Sequence, residues 1–473
     1  PYTELNYMLA SKAEQVIELL HTQNIKPNWN MMGSYRLIAA PGYFNNQKTS
    51  HSNYVLSSRF ESVNKRYNNY FAIVANKLQA SENGGISDAT NYLQQSDYSD
   101  RFTIPTKIGG DSEYGTNFFS TEIGTGNRYR DFTVMMRQQY DFGRKDSLVT
   151  DSTVIPLFYP RLRFEHSIQY STRTYQFLDE KGDSVYYSNT YDIRLPSAVD
   201  TLRLTESWRE LVNDFSIYQF PDAKNLHQFI KVGASIQTLK GVFLNGNASL
   251  YNVFGHAEYR NRTRNQRWDF IAKGVLYFTG YNAGDYHAYG SLQSSLGKQI
   301  GTLQVGFENV NRTPSFIFDN RSSFYLASVQ TFKKENSSHL FAGLNLTKLR
   351  LLLDGHYYLA TNYTYFTGFY QPNQSSSLFN LLQVSAKKNF KFGKQKRLNL
   401  YTDIYVQQKI GNAPINVPLV FTRVRFAYEG NLGFKNLDAA IGVEGRYHTA
   451  YKADDYSPIL GQFQYQDTLT IRN

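Results

Sequence analysis

Residues Arg397 to Lys409 read RLNLYTDIYVQQK, and their polarity alternates with a period of two. One face of this stretch is mainly apolar and comprises Leu398, Leu400, Thr402, Ile404 and Val406. The other face is polar and comprises Asn399, Tyr401, Asp403, Tyr405 and Gln407. Successive side chains of a β-strand point to opposite faces, so the pattern predicts a strand with one face suited to lipid and the other to water.

Two further segments of the C-terminal third alternate in the same way. In residues 349–362 the apolar side comprises Leu349, Leu351, Leu353, Tyr357 and Leu359, and the polar side comprises Arg350, Asp354, His356, Tyr358 and Asn362. In residues 437–448 the two sides comprise Ala439, Ile441, Val443 and Tyr447, against Asp438, Glu444, Arg446 and His448. An ionised side chain in hydrocarbon or a dry core costs several kcal/mol unless it is paired, so we expect the charged sides to face water or each other.

Segments of this kind follow one another along the chain and are longer than ordinary globular strands. They run about 10 to 14 residues, which suits a tilted membrane crossing. The candidate strands are 29–38, 54–63, 67–78, 131–142, 161–173, 208–220, 229–239, 247–259, 268–278, 286–296, 302–311, 323–332, 340–347, 349–362, 379–392, 397–409, 421–429 and 437–449. We therefore predict one all-β domain over residues 1–473, a large antiparallel transmembrane β-barrel of roughly 14 to 20 strands with long extracellular loops.

Composition agrees with half-buried strands. The 473 residues include 38 Tyr and 33 Phe, yet hydrophobic residues total only 41% and the mean hydropathy is -0.49. No stretch approaches the run of about 18 apolar residues that a spanning helix needs, so any crossing must be made by strands. The chain has no cysteine, which excludes a disulfide framework, thiol catalysis and the usual structural zinc sites.

The net charge of +11 could indicate nucleic acid, anionic lipid or an anion-selective channel. The densest basic cluster, Lys394, Lys396 and Arg397, is short and lies at an apparent turn, and the other basic residues alternate with acidic ones. We therefore expect no nucleic-acid partner. The expected partners are outer-membrane lipid or lipopolysaccharide, with other outer-membrane proteins or lipoproteins as further candidates.

Connections between the strands alternate in length, as in outer-membrane barrels. Residues 393–396 and 431–436 are expected to be short periplasmic turns, and residues 363–378 and 410–418 longer outer loops. Residues 81–130 and 176–207 lack a sustained period and are expected to be loop or plug insertions that fold over the pore. Residues 144–160 form a third long connection that the sequence assigns to neither side.

The two ends of the chain leave questions open. Near the N-terminus, Leu5, Leu9, Val16 and Leu20 fit a helical stripe, whereas Pro27 and Asn28 fit the turn of a hairpin whose first strand begins near Gln15. The chain begins at Pro1 without a basic and apolar leader, which is expected if a signal peptide has been removed. It ends in a polar stretch without an aromatic-ended strand, so one or more closing strands are expected to be absent.

Six stretches carry a resemblance to a known family. They are HTQNIKPNWN from His21, ENGGI from Glu82, YTYFTGFYQPNQSSSLFNLLQVS from Tyr363, GNAPINVP from Gly411, YEGNLGFKNL from Tyr428 and DDYSPILGQF from Asp454. On these residues the chain resembles the Bacteroidetes putative porin family, and the resemblance covers most of the chain. It implies a barrel of the bacterial outer membrane and favours the N-terminal hairpin, but it transfers no catalytic motif, because fold is not function.

A search for chemistry predicts no enzyme and no cofactor. The chain has no HExxH zinc helix, GxSxG elbow or phosphate-binding loop, and Gly124, Gly126 and Asn127 fit a turn better than a glycine fingerprint. The nine histidines are dispersed along the sequence, so His356 and His448 are expected to be polar lumen residues rather than metal ligands. Asp111 and Glu113 could bind calcium weakly, although a solvated loop is the favoured reading.

The most informative polar residues are charges expected on the inner face of the barrel. They are Arg350, Asp354, Asp403, Arg423, Arg425, Glu429, Glu444 and Arg446. They fit either a constriction whose transverse field orients polar solutes or a salt-bridge network that stiffens the barrel. The function is accordingly expected to be passive diffusion of small hydrophilic solutes. The alternative is a plugged structural or accessory subunit of a larger machine for secretion, export or barrel assembly, and an outer-membrane enzyme ranks last.

Overall fold

The computed structural model describes residues 1–10, 14–87, 91–109, 123–149, 154–297, 299–327, 329–434 and 436–472. Its dominant element is a 19-stranded antiparallel sheet. The first ten strands are β1 (Tyr2–Leu9), β2 (Gln15–Lys26), β3 (Trp29–Ala40), β4 (Thr49–Glu61), β5 (Tyr67–Ser81), β6 (Thr125–Val149), β7 (Val154–Asp183), β8 (Val199–Gln219), β9 (Gln228–Phe243) and β10 (Gly246–Arg262). The other nine are β11 (Trp268–Gly280), β12 (Tyr286–Gly297), β13 (Gly301–Arg312), β14 (Glu335–Leu346), β15 (Leu351–Thr361), β18 (Phe379–Phe392), β19 (Leu398–Ile410), β20 (Val420–Asn431) and β21 (Asp438–His448).

Each strand of this sheet pairs with the next one along the chain. The ladder begins at β1, runs without interruption to β15, passes from β15 to β18 and ends at β21. Between β15 and β18 the strands β16 (Tyr363–Thr367) and β17 (Gln371–Ser375) form a separate hairpin. The strand number falls within the predicted range. The predicted loss of a closing strand stays a prediction.

Because every pairing is antiparallel, the connections fall alternately at two ends of the sheet. One end, the turn end, has connections such as 27–28, 263–267, 347–350 and 393–397. The other end, the loop end, has the longest ones, 82–124, 313–334 and 362–378, together with the C-terminal residues after β21. The short turns and long loops that the sequence predicts therefore lie at opposite ends.

The N-terminal hairpin is confirmed and the helical reading is wrong. β2 and β3 pair around Pro27 and Asn28, with Lys26 opposite Trp29. Proline fixes φ near the value that a tight turn needs, which explains why the chain reverses here. β1 was not predicted, and it adds one more strand before this hairpin.

Three connections differ from the sequence prediction. Residues 125–130, predicted as the end of the first insertion, belong to β6. Residues 144–149 continue β6 and residues 154–160 belong to β7, and the two strands pair along this length. Pro160 is tolerated there because β8 pairs with β7 only from Leu162 onward, which leaves an edge. Residues 176–183 and 199–207 belong to β7 and β8, so the insertion is restricted to 184–198. The alternation is lost there because both faces are covered, as at Phe177 and Leu178.

The strand predicted at 323–332 is also wrong. The described part of that segment consists of turns and irregular backbone. The Ser323 hydroxyl donates to the Thr205 carbonyl and accepts a hydrogen bond from the Leu244 amide, while Phe324 is buried. These contacts attach the segment to the loop end of the sheet instead of letting it join the ladder.

One face of the sheet is apolar and exposed; we call it the outer face, and we call the opposite, polar face the inner face. On β9 the side chains of Val232 and Ile236 are both 56% exposed, and on β21 Val443 is 73% exposed. Apolar surface costs about 25 cal/mol per Å² in water, so a continuous face of this kind needs a non-aqueous neighbour. No helix among the described residues is long and apolar enough to span a membrane.

The core of the molecule lies at the loop end and not between the strands of the sheet. We call the packed loop-end segments the cap. It contains the helix α1 (Ser184–Tyr191), the β16–β17 hairpin and the short strands β22 (Tyr451–Lys452), β23 (Asp455–Ser457), β24 (Gln462–Gln464) and β25 (Thr470–Ile471). Its buried cluster comprises Ile108, Phe177, Tyr187, Tyr191, Leu202, Leu204, Phe324, Phe366, Ile459 and Leu460.

Candidate functional site

The inner face of the sheet and the cap above it form the candidate site. Six of the eight predicted lumen charges lie together on β19, β20 and β21. An Arg423 Nη atom lies 2.6 Å from Glu444 Oε2, and an Arg446 Nη atom lies 2.9 Å from Glu444 Oε1. Asp403 is the register partner of Arg423. One carboxylate thus contacts two guanidinium groups.

Arg425 and Glu429 belong to the same patch through β19. The Arg425 guanidinium lies 4.2 Å from the centre of the Tyr401 ring, and its Nη2 lies 3.5 Å from Glu429 Oε1. The Tyr401 hydroxyl donates to Glu429 Oε2 at 2.8 Å. The arginine side chains of this patch are 43 to 66% exposed, and ion pairs at such exposure contribute about 0 to 1 kcal/mol each.

The other two predicted charges lie apart from this patch. Asp354 is on β15 opposite Ser385, and Lys387 of β18 interacts electrostatically with both Asp354 and Asp403. Arg350 does not lie on the inner face of a strand, because β15 begins only at Leu351. It occupies the turn 347–350 with a positive φ of 50°, and its carbonyl accepts from the Asn389 amide.

The more buried polar network lies on β6 to β9, and the sequence analysis missed it. Arg163 Nε donates to Asp141 Oδ1 at 2.6 Å. Glu165 accepts from Gln139 at 2.5 Å, from Lys231 at 3.0 Å and from the Tyr218 hydroxyl at 3.1 Å. The Asp141 and Glu165 side chains are only 5% and 4% exposed. The same period-two rule applied to 161–173 places Arg163 and Glu165 on one face and could have found them.

The network continues toward the loop end through two more carboxylates. Asp214 accepts from the Ser216 and Ser235 hydroxyls, and its Oδ2 lies 2.5 Å from His256 Nε2. Glu210 accepts from Arg173 at 2.7 Å and from Gln237 at 2.5 Å. The inner face is therefore a nearly continuous set of paired charges and amides.

Three histidines that are dispersed in the sequence come together on neighbouring strands. His287 Nε2 lies 2.7 Å from Glu308 Oε1, His339 Nδ1 lies 3.6 Å from Glu308 Oε2, and His339 Nε2 lies 3.0 Å from His356 Nδ1. The His339 ring also stacks on Tyr358 at 4.2 Å. Within the described ranges, no group of three His, Cys, Asp or Glu side chains could hold a metal ion.

Other sequence candidates have simpler placements. His448 lies at the end of β21, where its Nδ1 is 3.1 Å from the Thr449 carbonyl oxygen. Gly126 and Asn127 lie at the start of β6, and Asn127 Nδ2 donates to Glu82 and to the Pro458 carbonyl. Asp111 and Glu113 lie outside the described residues.

Aromatic packing holds the cap together. The Tyr187 hydroxyl donates to Asp179 Oδ2 at 2.7 Å, and Asp179 Oδ1 accepts from the Thr125 hydroxyl at 2.8 Å. Burial raises the pKa of the Tyr187 and Tyr191 hydroxyls well above the usual range, so both remain neutral. The helix that carries them begins after Asp183, which caps its first turn by accepting from the Val185 amide at 2.7 Å.

Glu82 links the C-terminal part of the cap to the start of β6. Glu82 Oε1 accepts from the Tyr456 hydroxyl at 2.7 Å and from Asn127 Nδ2 at 2.6 Å. The Tyr175 hydroxyl donates to Asn127 Oδ1 at 2.6 Å. Burial raises the pKa of Glu82 above its ordinary value, and the two hydrogen bonds oppose that rise.

Two cavities lie on the inner side just beneath the cap. One, of about 310 Å³, is lined by β13, β14, β15 and β18 together with Tyr363 and Ile415. The other, of about 350 Å³, lies between β6, β7 and β8 and the segments that carry Phe316 and Leu460. Both are lined by residues of the sheet together with residues of the loop end.

Comparison with protein families shows the family to which the chain belongs. A family model described as "Putative porin" matches residues 1–473. The chain belongs to this family. Its location in the bacterial outer membrane follows, which explains why the sheet exposes an apolar outer face.

Solved structures with a similar fold are outer-membrane receptors and transporters. A mutant of the ferric enterobactin receptor PfeA from Pseudomonas aeruginosa has a TM-score of 0.60 at 10% identity over 99% of this chain and 70% of its own. The copper transporter OprC has a TM-score of 0.63 at 9% identity over the same shares of the two chains. The ferric-catecholate receptor Fiu from Escherichia coli K12, in its closed form, has a TM-score of 0.54 at 12% identity over 96% of this chain and 72% of its own.

These likenesses concern the fold, because the identities are low. No protein of curated function matches the chain. The family and the structural neighbours together support an outer-membrane transport protein.

Proposed function

We propose that this chain forms a closed β-barrel whose lumen lets small hydrophilic solutes cross the outer membrane by passive diffusion. The proposal includes no covalent step, no cofactor and no energy input. The loop end faces outward, because outer-membrane barrels have short periplasmic turns and longer outer loops. Outer-membrane lipid or lipopolysaccharide would surround the apolar outer face.

The observation that carries the proposal is the contrast between the two faces of single strands. On β9, Lys231, Ser235 and Gln237 all take part in the inner polar network, whereas Val232 and Ile236 are exposed on the outer face. Charged side chains are expensive in hydrocarbon, so the inner face needs water or mutual pairing. A water-filled lumen supplies the water, and the neighbouring strands supply the pairing.

Single-channel conductance in a planar bilayer, with ion selectivity recorded at two salt concentrations, tests the proposal. We expect steady conductance, with anion preference reduced by the double substitution Arg423→Gln and Arg425→Gln. The matched control is Arg264→Gln, because Arg264 pairs with Asp222 near the turn end. A barrel that inserts correctly but conducts no ions would contradict passive diffusion.

The cap favours a second candidate function, that of a plugged structural or accessory barrel within a larger outer-membrane machine. Its buried aromatic core lies at the loop end, and a cap that covered the lumen and never opened would block diffusion. Purification from the native membrane under mild detergent separates the two candidates. A stoichiometric protein partner together with zero conductance would favour the accessory role.

A further inference from the structure

The cavity beneath the β16–β17 hairpin has the features of a ligand site, and we call it the rim pocket. Its volume of about 310 Å³ lies at the lower end of the range for small-molecule sites. The side chains that matter are Arg312, Glu335, Tyr358, Tyr363, Phe379 and Leu381. Arg312 and Glu335 are register partners on the same face as Glu308 and His339, so a solute on the inner side of the sheet could reach them.

The aromatic side chains of the pocket wall pack against neighbouring rings. Tyr363 and Phe379 meet edge to face, with ring centres 5.7 Å apart and planes at 89°. Tyr358 is held by its stack on His339. Aromatic rings in such arrangements offer large flat apolar surfaces at low entropic cost, which suits an aryl or short alkyl group.

Glu335 is already fully engaged by the protein. It is 7% exposed, and one carboxylate oxygen accepts from the Thr364 amide at 2.9 Å and from the Thr364 hydroxyl. Its second oxygen accepts from Arg312 Nε at 2.8 Å. Glu335 therefore holds Arg312 and the β16–β17 hairpin in place and has little capacity left for a ligand.

Arg312 is different, because it uses only one of its donors in this way. Among the described residues, its two Nη groups donate no hydrogen bond to the protein, and its side chain is 63% exposed. A guanidinium fork binds a carboxylate through two parallel hydrogen bonds. The unused side of the fork lies at the border of an apolar pocket.

We propose that the rim pocket binds small organic carboxylates that have an apolar body. The carboxylate would lie against the Nη groups of Arg312, and the apolar body against Tyr363, Phe379 and Leu381. An inorganic anion lacks the apolar body, and a neutral alcohol of the same shape lacks the charge, so both would bind more weakly. The inference deepens the proposed function by naming a class of solute, and it rests on that function for access from the lumen.

The test is isothermal titration calorimetry of the purified full chain in lipid nanodiscs, with 3-phenylpropionate as the probe. We expect saturable binding that is at least about tenfold weaker for 3-phenylpropanol and for propionate, since each lacks one half of the recognition. Titration of empty nanodiscs gives the background from partition into lipid. Heat of binding indistinguishable from that background would overturn the proposal.

Variants locate the binding. Arg312→Gln should weaken binding of 3-phenylpropionate at least about tenfold, as loss of a charged hydrogen bond does, whereas Arg264→Gln should leave it unchanged. Leu381→Trp keeps the arginine and fills the pocket, so it should abolish binding even if Arg312→Gln fails to fold. Unchanged binding in folded Leu381→Trp protein would overturn the proposal.

The binding test is independent of conduction. Binding to a barrel that conducts no ions would support the pocket and contradict passive diffusion. Conduction without saturable binding would overturn the proposal that the rim pocket binds carboxylates, but it would still support the proposed function.

Discussion

The cap and the wall, by which we mean the 19-stranded sheet, place their apolar residues in opposite ways. In the cap, aromatic and aliphatic side chains such as Tyr187, Tyr191 and Ile459 are fully buried, as in a soluble domain. In the wall, the apolar side chains point outward and the charges point inward. The cap can therefore be stable in water, whereas the wall needs lipid outside and water or ion pairs inside.

The difference also concerns sequence distance. Neighbouring strands of the wall are neighbours in the chain, but the cap joins segments that are hundreds of residues apart. Tyr175 donates to the Ile459 carbonyl, and Glu82 contacts Tyr456. The wall is thus a local structure repeated many times, and the cap is a single non-local one.

The largest effect is expected from a cavity in the cap. Phe324→Ala removes a ring that is 1% exposed and should destabilise the cap by about 3 to 5 kcal/mol. Limited proteolysis should then cut residues 313–334 while the wall remains resistant, and conductance should rise. Phe463→Ala is the matched control, because Phe463 also lies in the cap but is 70% exposed. Equal proteolysis of the two variants would show that the cap has no common core.

A charge on the outer face of the wall should cause the next largest loss of stability. Ile236→Lys places an ammonium group on the exposed apolar face of β9 and should cost about 2 to 4 kcal/mol in a bilayer. The folded fraction in lipid vesicles, followed by heat-modifiable migration on gels across a urea series, measures this cost. Val63→Lys should be neutral, because Val63 lies in the turn 62–66. A neutral Ile236→Lys variant would place β9 outside the lipid.

Removal of one partner from the inner network should reduce the free energy of unfolding by less than Ile236→Lys does. Glu165→Gln leaves Lys231 without its anionic partner, and we expect a loss of about 2 to 3 kcal/mol in the free energy of unfolding. This is below the usual range for fully buried pairs, because the Lys231 side chain is still 17% exposed. The same urea series applies. Arg264→Gln breaks an exposed pair and should change stability by less than about 1 kcal/mol. Equal costs for the two variants would mean that the inner network is as well solvated as the surface.

The smallest expected effect is a pH dependence of the cap. The pKa of Glu82 is raised by burial, so its protonated form fits the folded cap better than its ionised form. This contribution to stability is present at acidic pH and is lost as the pH rises through the raised pKa. Conductance should therefore increase with pH in this window, and Glu82→Gln should reduce that dependence. Glu61→Gln, outside the cap, is the control, and an identical pH profile in all three proteins would exclude this role of Glu82.

Most strands of the wall could be predicted from the sequence, whereas the packing of the cap could not, and the reason is physical. One lipid-facing and one polar face give a period of two that identifies β19 and β21 with nearly their observed bounds. Residues 176–183 are also a strand, but Phe177 and Leu178 are both buried by the cap, and the period disappears. Residues 131–142 and 161–173 were predicted as strands, but the extension of β6 and β7 over 144–149 and 154–160 was missed. Pro160 argues against a central strand, yet it is tolerated where β7 pairs on one side only.

The candidate site was predicted in part for the same reason. The charges of β19 to β21 form one patch, as the alternation indicates, whereas Arg350 lies in a turn because its strand begins one residue later. The buried pairs of β6 to β9 follow the same alternation and were not singled out. The contact between His339 and His356 and the rim pocket depend on strand register and on loop packing, which no local pattern reveals.

Thiol accessibility along β9 tests the central claim most directly, that one face of the wall meets water and the other meets lipid. The chain has no cysteine, so single cysteines can be placed at Val232, Ser235, Ile236 and Gln237 without background reaction. In lipid vesicles, a charged water-soluble thiol reagent should modify the cysteines at 235 and 237 and spare those at 232 and 236. Modification of all four positions, or of 232 and 236 alone, would contradict a water-filled lumen inside a lipid-facing wall.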